Sequence, residues 1–276
     1  MTPSWTTAAG RTRVGIVGLG PVGRAVARAV DGSLDGYLLT ALSARRPAPA
    51  QEFADSLPSR PAVLRAQEVA DACDLVIECA PAAIFDQIAQ PVVEQGKTLV
   101  VLSAGALLNS WHLVDTARTT GATILVPTGA LLGLDAVQAA AEGVVHSVRM
   151  TTRKPLRGLL DAPYLQDRRH LLGGATEPVR VFSGTAREAA SGFPANLNVA
   201  VALALAGVGP DRTELEIWAD PDLDRNTHQI TVEADSASFS MSIANVPSEN
   251  VKTGLITALS VVVLLRKRTS ALQIGT

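Results

Sequence analysis

The sequence has few cysteines, few aromatic residues and almost no net charge, and each shortage excludes a class of protein. Cys73 and Cys79 are the only cysteines among 276 residues, too few for a disulfide framework. Their spacing fits neither a metal site nor a C-x-x-C redox motif, so we expect no metal and two reduced, buried thiols. Residues 1–10 contain no apolar core of a secretory signal, and we therefore expect a cytoplasmic protein.

The charge balance and the apolar stretches exclude two further kinds of partner. A formal net charge of −2 lacks the basic excess on which nucleic-acid binding depends, so we expect no nucleic-acid partner. The apolar stretch at 254–265 is shorter than the about 20 residues that span a bilayer, so we expect no membrane partner. Three cations at 266–268 follow it, which favours a buried helix with positive charge at its C-terminal end.

A glycine-rich passage near the start is the strongest motif that the sequence contains. Residues 14–23 read V-G-I-V-G-L-G-P-V-G, with the glycines in G-x-G-x-x-G order between a predicted strand and a predicted helix. Gly18 permits a tight turn, Gly20 lets a pyrophosphate approach the backbone, and Gly23 lets the helix pack closely. The predicted cofactor-binding residues of this passage are Gly18, Gly20, Pro21, Val22 and Gly23.

The end of the second predicted strand, Tyr37–Leu42, bears on the choice of cofactor. An NAD site usually has an acidic residue here for the ribose 2′-hydroxyl, whereas an NADP site has arginine for the 2′-phosphate. This sequence has no acid at that point and has Arg45 and Arg46, so we predict NADP or NAD with NADP slightly favoured. The alternative is that both arginines are solvated loop charges. We also place Ala80, which follows a predicted strand at 75–79, among the cofactor-binding residues.

The pattern of elements predicts an α/β protein with two domains. Strands and helices alternate through residues 12–128, which predicts a Rossmann-type doubly wound parallel sheet, completed by a C-terminal helix within 250–270. Residues 129–249 predict an α+β domain for substrate binding and dimerisation, with a mainly antiparallel sheet. Its last three strands are predicted as successive antiparallel neighbours at Glu214–Trp218, Gln229–Ala234 and Ala237–Ile243.

Several polar residues of the second domain are candidates for chemistry. Asn196 and Asn198 precede an apolar helix, where one suffices as a cap and the other is free to bind a ligand. His228 follows a run of acids at a predicted junction of loop and strand. It is a candidate general base whose pKa we expect nearby carboxylates to raise, and the alternative is an exposed loop histidine.

A substrate carboxylate would need cationic or hydroxyl partners. Arg153 and Lys154 end one predicted strand, and Lys252 and Thr253 begin the last helix. Any of the four could hold a carboxylate, and arginine is the better bidentate partner. The alternative for each is ordinary surface polarity, and the sequence does not choose among them.

Six passages resemble the L-aspartate dehydrogenase family, and they occur in that family's order. With the glycine passage, the resemblance covers nearly the whole chain from about residue 13. The passages are P-T-G-A-L-L-G-L-D (127–135), T-T-R-K-P (151–155), F-S-G-T-A-R-E-A-A (182–190), F-P-A-N-L-N-V-A (193–200), A-D-P (219–221) and N-T-H (226–228).

The resemblance implies roles for particular residues. In that family the histidine of the Asn-x-His passage is catalytic, which implies His228. The alanine of the Gly-Ala passage and the second asparagine of the Pro-x-Asn-x-Asn passage contact the cofactor, which implies Ala130 and Asn198. The resemblance also implies a homodimer and a place in NAD biosynthesis through iminoaspartate.

The resulting hypothesis is an NAD(P)-dependent amino-acid dehydrogenase. It would convert L-aspartate reversibly through iminoaspartate to oxaloacetate and ammonia, with His228 as the general base. Residues 128–133 and 250–254 depart from the family's usual motifs, so a related dehydrogenase or reductase for another amino or oxo acid remains an alternative. A non-catalytic dinucleotide-binding redox sensor is a second alternative.

Overall fold

The computed structural model describes residues 10–160, 162–172, 174–193, 197–248 and 254–275. The chain divides into two compact units, one running to Pro127 and including Ala258–Ile274, and the other comprising Thr128–Thr257. Among the described helices, none has both the length and the apolar character needed to cross a bilayer.

Strands and helices alternate in the first unit as the sequence predicts. Its elements are β1 Thr12–Val17, α1 Pro21–Gly32, β2 Tyr37–Ser43, α2 Pro47–Asp55, β3 Ala62–Val63, α3 Val69–Ala72, β4 Leu75–Glu78, α4 Phe85–Glu94, β5 Thr98–Val101, α5 Ala104–Asn109, α6 His112–Thr120 and β6 Thr123–Leu125. Those of the second unit are α7 Leu134–Ala141, β7 Val145–Pro155, β8 Val179–Thr185, α8 Ala186–Gly192, α9 Asn198–Ala206, β9 Thr213–Asp220, β10 Thr227–Ala234 and β11 Ser238–Ala244. The last helix is α10, Ile256–Thr269.

The sheet of the first unit is parallel throughout and has the order β3-β2-β1-β4-β5-β6. Every residue of β4 and β5 is buried, as expected when helices cover both faces of a parallel sheet. The Rossmann-type prediction is confirmed. The strand order reverses between β1 and β4, and the carboxyl ends of those strands are where such sheets bind ligands.

Helix α10 belongs to the core of the first unit although it follows the second unit in sequence. Its residues Val261 and Leu265 are fully buried in the same cluster as Val14 and Ile16 of β1. The hydroxyl of Tyr37 donates a hydrogen bond of 2.9 Å to the carbonyl of Leu265. The helix therefore fills part of the aliphatic core that the first 127 residues leave open.

The sheet of the second unit has the order β11-β10-β7-β9-β8. Its pairs are antiparallel except β7 with β9, which is parallel, so the mainly antiparallel prediction is confirmed. The prediction that β9 and β10 are direct neighbours is wrong, because β7 lies between them. Apolar alternation shows which residues of a strand face the core but does not specify which strand lies beside it.

One face of this second sheet carries the core and then becomes polar. Val148 and Met150 of β7, Ile217 of β9 and Ile230 of β10 are buried with Leu203 of α9. Side chains alternate along a strand, so the same face continues two residues further along β7 and two residues back along β10. Those positions are Thr152 on β7 and His228 on β10, and both are buried. Together with Lys154, they form a buried polar cluster at the end of the apolar face.

Candidate active site

The glycine passage forms the turn from β1 to α1 and leaves open space above its backbone. Gly18 has φ of 102°, and a Cβ there would overlap the carbonyl of Cys79. A Cβ at Gly23 would overlap the carbonyl of Gly18, whereas one at Gly20 would meet no atom within 4 Å. The turn is thus packed on its inner side and open at Gly20, where a pyrophosphate can approach the N-terminus of α1, which begins at Pro21. These residues fit a dinucleotide.

Ala80 lies beside this turn and is held in place by a buried carboxylate. Glu78, at the end of β4, is fully buried and accepts hydrogen bonds from the backbone N–H groups of Ala80 (2.8 Å) and Ser103 (2.9 Å). The Ser103 hydroxyl also donates to Glu78, at 3.0 Å. Burial raises the pKa of Glu78, and these hydrogen bonds oppose that rise. Glu78 therefore ties the loops after β4 and β5 together at the sheet edge that includes Gly18.

Arg45 and Arg46 follow β2 at the same edge and are both exposed. The backbone N–H of Gly18 donates to the carbonyl of Ser43 at 2.8 Å, which fixes the glycine turn beside the end of β2. Arg46 is the N-cap residue of α2. The two arginines therefore follow the strand end to which the glycine turn is bonded.

His228 is inside β10 and is buried, with 3% of its surface exposed. The alternative of an exposed loop histidine is wrong. In the sheet register His228 is opposite Thr152 of β7, and Nδ1 of His228 lies 3.1 Å from Oγ1 of Thr152. The Nδ1 atom of the imidazole is therefore held in a hydrogen bond, and Nε2 is the ring nitrogen that could accept a proton from a substrate.

The charge state of His228 differs from our expectation. Burial lowers the pKa of His228 from 6.5 to about 3, and the positive charge of Lys154 contributes to the lowering. We predicted that nearby carboxylates would raise this pKa, and that prediction is wrong because a cation and the apolar sheet face surround the ring instead. The imidazole is therefore neutral at physiological pH, and with a pKa of about 3 it is a weaker base than a free imidazole.

Because His228 is buried and neutral, we predict that the protein becomes less stable as the pH falls. In the unfolded chain His228 protonates near pH 6.5, but in the native protein only near 3, so the unfolded state binds more protons as the pH falls below 6.5. The free energy of unfolding should therefore fall across that window. Between pH 7.5 and pH 5 the loss due to His228 should be about 2 kcal/mol, measured by urea denaturation of wild type and His228→Asn at both pH values.

The matched control for this measurement is His112→Asn, because His112 is exposed. The His112 variant should lose as much stability as wild type on acidification, and the His228 variant about 2 kcal/mol less. Equal losses for wild type and His228→Asn would contradict a neutral, buried imidazole.

Of the two adjacent cations near the end of β7, Arg153 and Lys154, only Lys154 shares a face with His228. Lys154 is buried, with 3% of its surface exposed, and stands two residues after Thr152 on the same side of the strand. Arg153 faces the other way, where it stacks on the Trp218 ring at 5.2 Å and pairs with Asp220 at 3.5 Å. Arg153 lines a pocket of 220 Å³ that His228 also borders. By strand alternation, however, the side chains of Arg153 and His228 project from opposite faces of the sheet.

Ala130 and Asn198 are the two residues of the second unit that the family resemblance assigns to the cofactor. Ala130 lies in a turn, and its carbonyl accepts a hydrogen bond of 2.9 Å from the side chain of Asn245. Asn245 directly follows β11, and its backbone N–H donates to the carbonyl of Asn226 at 2.8 Å. Asn198 is the first residue of α9, half-buried. The other candidates, Asn196, Lys252 and Thr253, lie outside the described residues.

Three residues of these sites were not predicted from the sequence. Thr152 could have been found, since it alternates with Lys154 in T-T-R-K-P. Glu78 is an acid at the end of an apolar strand, which is itself a signal of a buried, hydrogen-bonded carboxylate. Asn245 carries no local signal, because its partner Ala130 is distant in sequence. Within the described ranges, no group of three or more His, Cys, Asp or Glu could hold a metal ion.

Comparison with known proteins identifies the kind of enzyme that this fold and these sites form. Residues 18–127 match a family model described as the NAD-binding domain of homoserine dehydrogenase. Residues 135–268 match one described as the C-terminal domain of aspartate dehydrogenase. The protein is therefore an NAD(P)-dependent amino-acid dehydrogenase.

Full-length relatives narrow the class to a family. An L-aspartate dehydrogenase of Bradyrhizobium diazoefficiens is 55% identical over 98% of this chain and 96% of the relative. L-aspartate dehydrogenase 3 of Bordetella bronchiseptica is 51% identical over 95% of this chain and 97% of its own. The chain belongs to the L-aspartate dehydrogenase family. The crystal structure of aspartate dehydrogenase from Thermotoga maritima shares the fold, with a TM-score of 0.74 and 23% identity over 96% of this chain and 100% of that one.

Proposed function

We propose that this protein oxidises L-aspartate through iminoaspartate to oxaloacetate and ammonia, reversibly, with His228 as the general base. The observation that carries the proposal is a neutral, buried imidazole that shares one sheet face with a buried lysine, in the region matched by the aspartate dehydrogenase family model. A base and a cation side by side suit a substrate that must lose a proton and that carries carboxylates.

The dinucleotide supplies a hydride acceptor when it is bound. Gly18, Gly20 and Gly23, with the N-terminus of α1 at Pro21, would hold its pyrophosphate, and Ala80 would pack beside it. In the second unit, Ala130 and Asn198 would contact it. We assign cofactor binding to residues 12–128 with helix α10, and substrate binding to 129–249.

His228 would take a proton from the substrate amine or from the water that hydrolyses the imine. For Nε2 to accept that proton, Nδ1 must carry the ring hydrogen and Thr152 must accept it through Oγ1, which lies 3.1 Å away. Thr152 would thus hold the ring in the tautomer that the base requires.

Lys154 would bind a substrate carboxylate and thereby raise the basicity of His228. The positive charge of Lys154 is one of the two causes that lower the pKa of His228, after burial. A carboxylate paired with Lys154 would offset that charge, so the pKa of His228 would rise when the substrate binds. The base would then be strongest when there is a proton to remove. Arg153 is a poor candidate for this role, because it lies on the opposite face.

The cofactor preference that we propose is NADP over NAD. Arg45 and Arg46 support it, because they are exposed beside the glycine turn and no acidic side chain occupies residues 43–46. An acid there would repel a 2′-phosphate, whereas two guanidinium groups would attract it.

The experiment that tests this proposal is an initial-rate matrix of purified protein with NADP and NAD against a panel of amino acids. L-aspartate with NADP is expected to give the highest kcat/KM, and L-glutamate, one methylene longer, is expected to be at least about tenfold poorer. Turnover of another amino acid without turnover of L-aspartate would overturn the assignment of L-aspartate as the substrate. Tight dinucleotide binding without turnover of any amino acid would indicate a redox sensor instead.

A further inference from the structure

A third arginine stands at the same corner of the first unit as Arg45 and Arg46. Arg24 lies in the first turn of α1, one residue after Gly23. Its Nε donates a hydrogen bond of 3.0 Å to the carbonyl of Leu19, which is inside the glycine turn. Its guanidinium carbon stacks 4.6 Å from the centroid of the Phe53 ring. The side chain is therefore folded back onto the cofactor-binding turn and does not extend into solvent.

The two contacts of Arg24 connect this corner to the arginines after β2. Phe53 is buried in α2, the helix for which Arg46 is the N-cap residue, and side chains in a helix lean toward its N-terminus. The turn that contains Leu19 is fixed to the end of β2 by the bond from Gly18 N–H to the carbonyl of Ser43. Arg24, Arg45 and Arg46 therefore border one region at the carboxyl ends of β1 and β2.

This region has the charge and the rigidity that a phosphate site needs. A guanidinium has five N–H donors; Leu19 uses the one on Nε, and the stack on Phe53 uses a face of the group and none of its donors. Among the ion pairs of the described residues, none involves Arg24, Arg45 or Arg46. A guanidinium held in place before the ligand arrives loses little rotamer entropy when it binds, and this favours affinity.

We infer that Arg24 is a specificity-determining residue for the cofactor, completing with Arg45 and Arg46 a three-arginine site for the ribose 2′-phosphate of NADP. The inference rests on the NADP preference proposed above. It adds that part of the selectivity lies in α1, outside the loop after β2 where the sequence pattern directs attention. Arg24 would donate charge-assisted hydrogen bonds to the phosphate through its two terminal nitrogens.

Arg28 provides a matched control that the chain itself supplies. It lies one helical turn further along α1, is exposed, and its guanidinium carbon is 5.3 Å from the centroid of the same Phe53 ring. It has the same charge and the same stacking partner as Arg24, but it is one turn further from the glycine passage. A nonspecific effect of positive charge near Phe53 would appear equally in both variants.

The experiment measures binding of two nucleotide fragments, adenosine 2′,5′-bisphosphate and 5′-AMP, by calorimetry, so that no turnover is needed. Arg24→Gln is expected to weaken the bisphosphate by about 10- to 100-fold and 5′-AMP by no more than about twofold. Arg28→Gln is expected to leave both affinities within about twofold of wild type. The double variant Arg45→Ala with Arg46→Ala is the positive control, and thermal melting of each variant verifies its fold.

The outcomes separate this inference from the proposed NADP preference. If wild type binds the bisphosphate no more tightly than 5′-AMP, the preference is wrong and the three-arginine site with it. If wild type discriminates and the double variant loses the discrimination while Arg24→Gln keeps it, only the role of Arg24 is overturned. Equal weakening of both fragments by Arg24→Gln would also overturn it, because Arg24 would then support the turn and not recognise the 2′-phosphate.

Discussion

Replacing His228 with asparagine is expected to lower kcat for L-aspartate oxidation by about 10²- to 10⁴-fold, the range that a positioned general base contributes. The asparagine amide fills part of the space of the ring and keeps a polar atom near Thr152, whose Oγ1 is 3.1 Å from Nδ1 of the native imidazole. It has no atom that accepts a proton at neutral pH. KM for L-aspartate is expected to change less than kcat, because Lys154 is retained. Initial-rate kinetics with saturating cofactor measure both constants.

The comparison that gives this result meaning is His112→Asn, in which an exposed histidine receives the same change. That variant is expected to keep kcat and KM within about twofold of wild type. Retention of full cofactor affinity by His228→Asn, measured by NADPH fluorescence, would show that the lost rate reflects chemistry and not a damaged fold. A kcat for His228→Asn within about threefold of wild type would contradict the assignment of His228 as the general base.

The first unit could be predicted because its signals are local. The sequence predicts a strand at Tyr37–Leu42, and the structure has β2 at Tyr37–Ser43. In a parallel sheet covered on both faces, apolar runs mark the strands, and the alternation with helices leaves few possible topologies. The glycine order then fixes which end of the sheet faces the ligand. Glu78 and Arg24 escape such reasoning, because one partner of each is distant in sequence: Ser103 after β5 for Glu78, and Phe53 of α2 for Arg24.

The second unit was predictable in its elements but not in their neighbours. Residues 229–234 and 237–243 are predicted as strands; the first range falls in β10, and the second overlaps β11, which runs one residue later at each end. The central position of β7, between β9 and β10, depends on long-range pairing that no local pattern encodes. That position matters for function, because it places Thr152 opposite His228 and thereby forms the polar cluster.

The pKa of His228 could not be predicted from its neighbours in the sequence. Acidic residues precede His228 in the chain, and proximity in sequence predicts a raised pKa. In the folded protein His228 lies in a strand, and its ring is buried and lies near Lys154 of β7. Strand alternation implies that Lys154 and Arg153 face opposite sides of the sheet. Which of them shares a face with His228, and what surrounds the ring, depends on the pairing of β7 with β10, which no local pattern encodes.

A pair of alanine variants in the glycine turn is expected to separate folding from cofactor binding. A Cβ at Gly20 would meet no atom within 4 Å, and Gly20 has φ of −73°, which alanine adopts readily. Gly20→Ala is therefore expected to change the free energy of unfolding by no more than about 1 kcal/mol. Its methyl group would occupy the space through which a pyrophosphate approaches the backbone. NADPH affinity is expected to fall by at least about tenfold.

Gly18→Ala is expected to behave in the opposite manner, because the residue has φ of 102° and its Cβ would overlap the carbonyl of Cys79. The unfavourable φ and the steric overlap both destabilise the folded state. The free energy of unfolding is expected to fall by about 3 kcal/mol or more. Urea denaturation and NADPH fluorescence titration of the two variants, side by side with wild type, measure the two effects. Wild-type NADPH affinity in Gly20→Ala would mean that the pyrophosphate binds elsewhere. Unchanged stability in Gly18→Ala would mean that the turn is not packed against β4, so the two glycines test separate parts of one site.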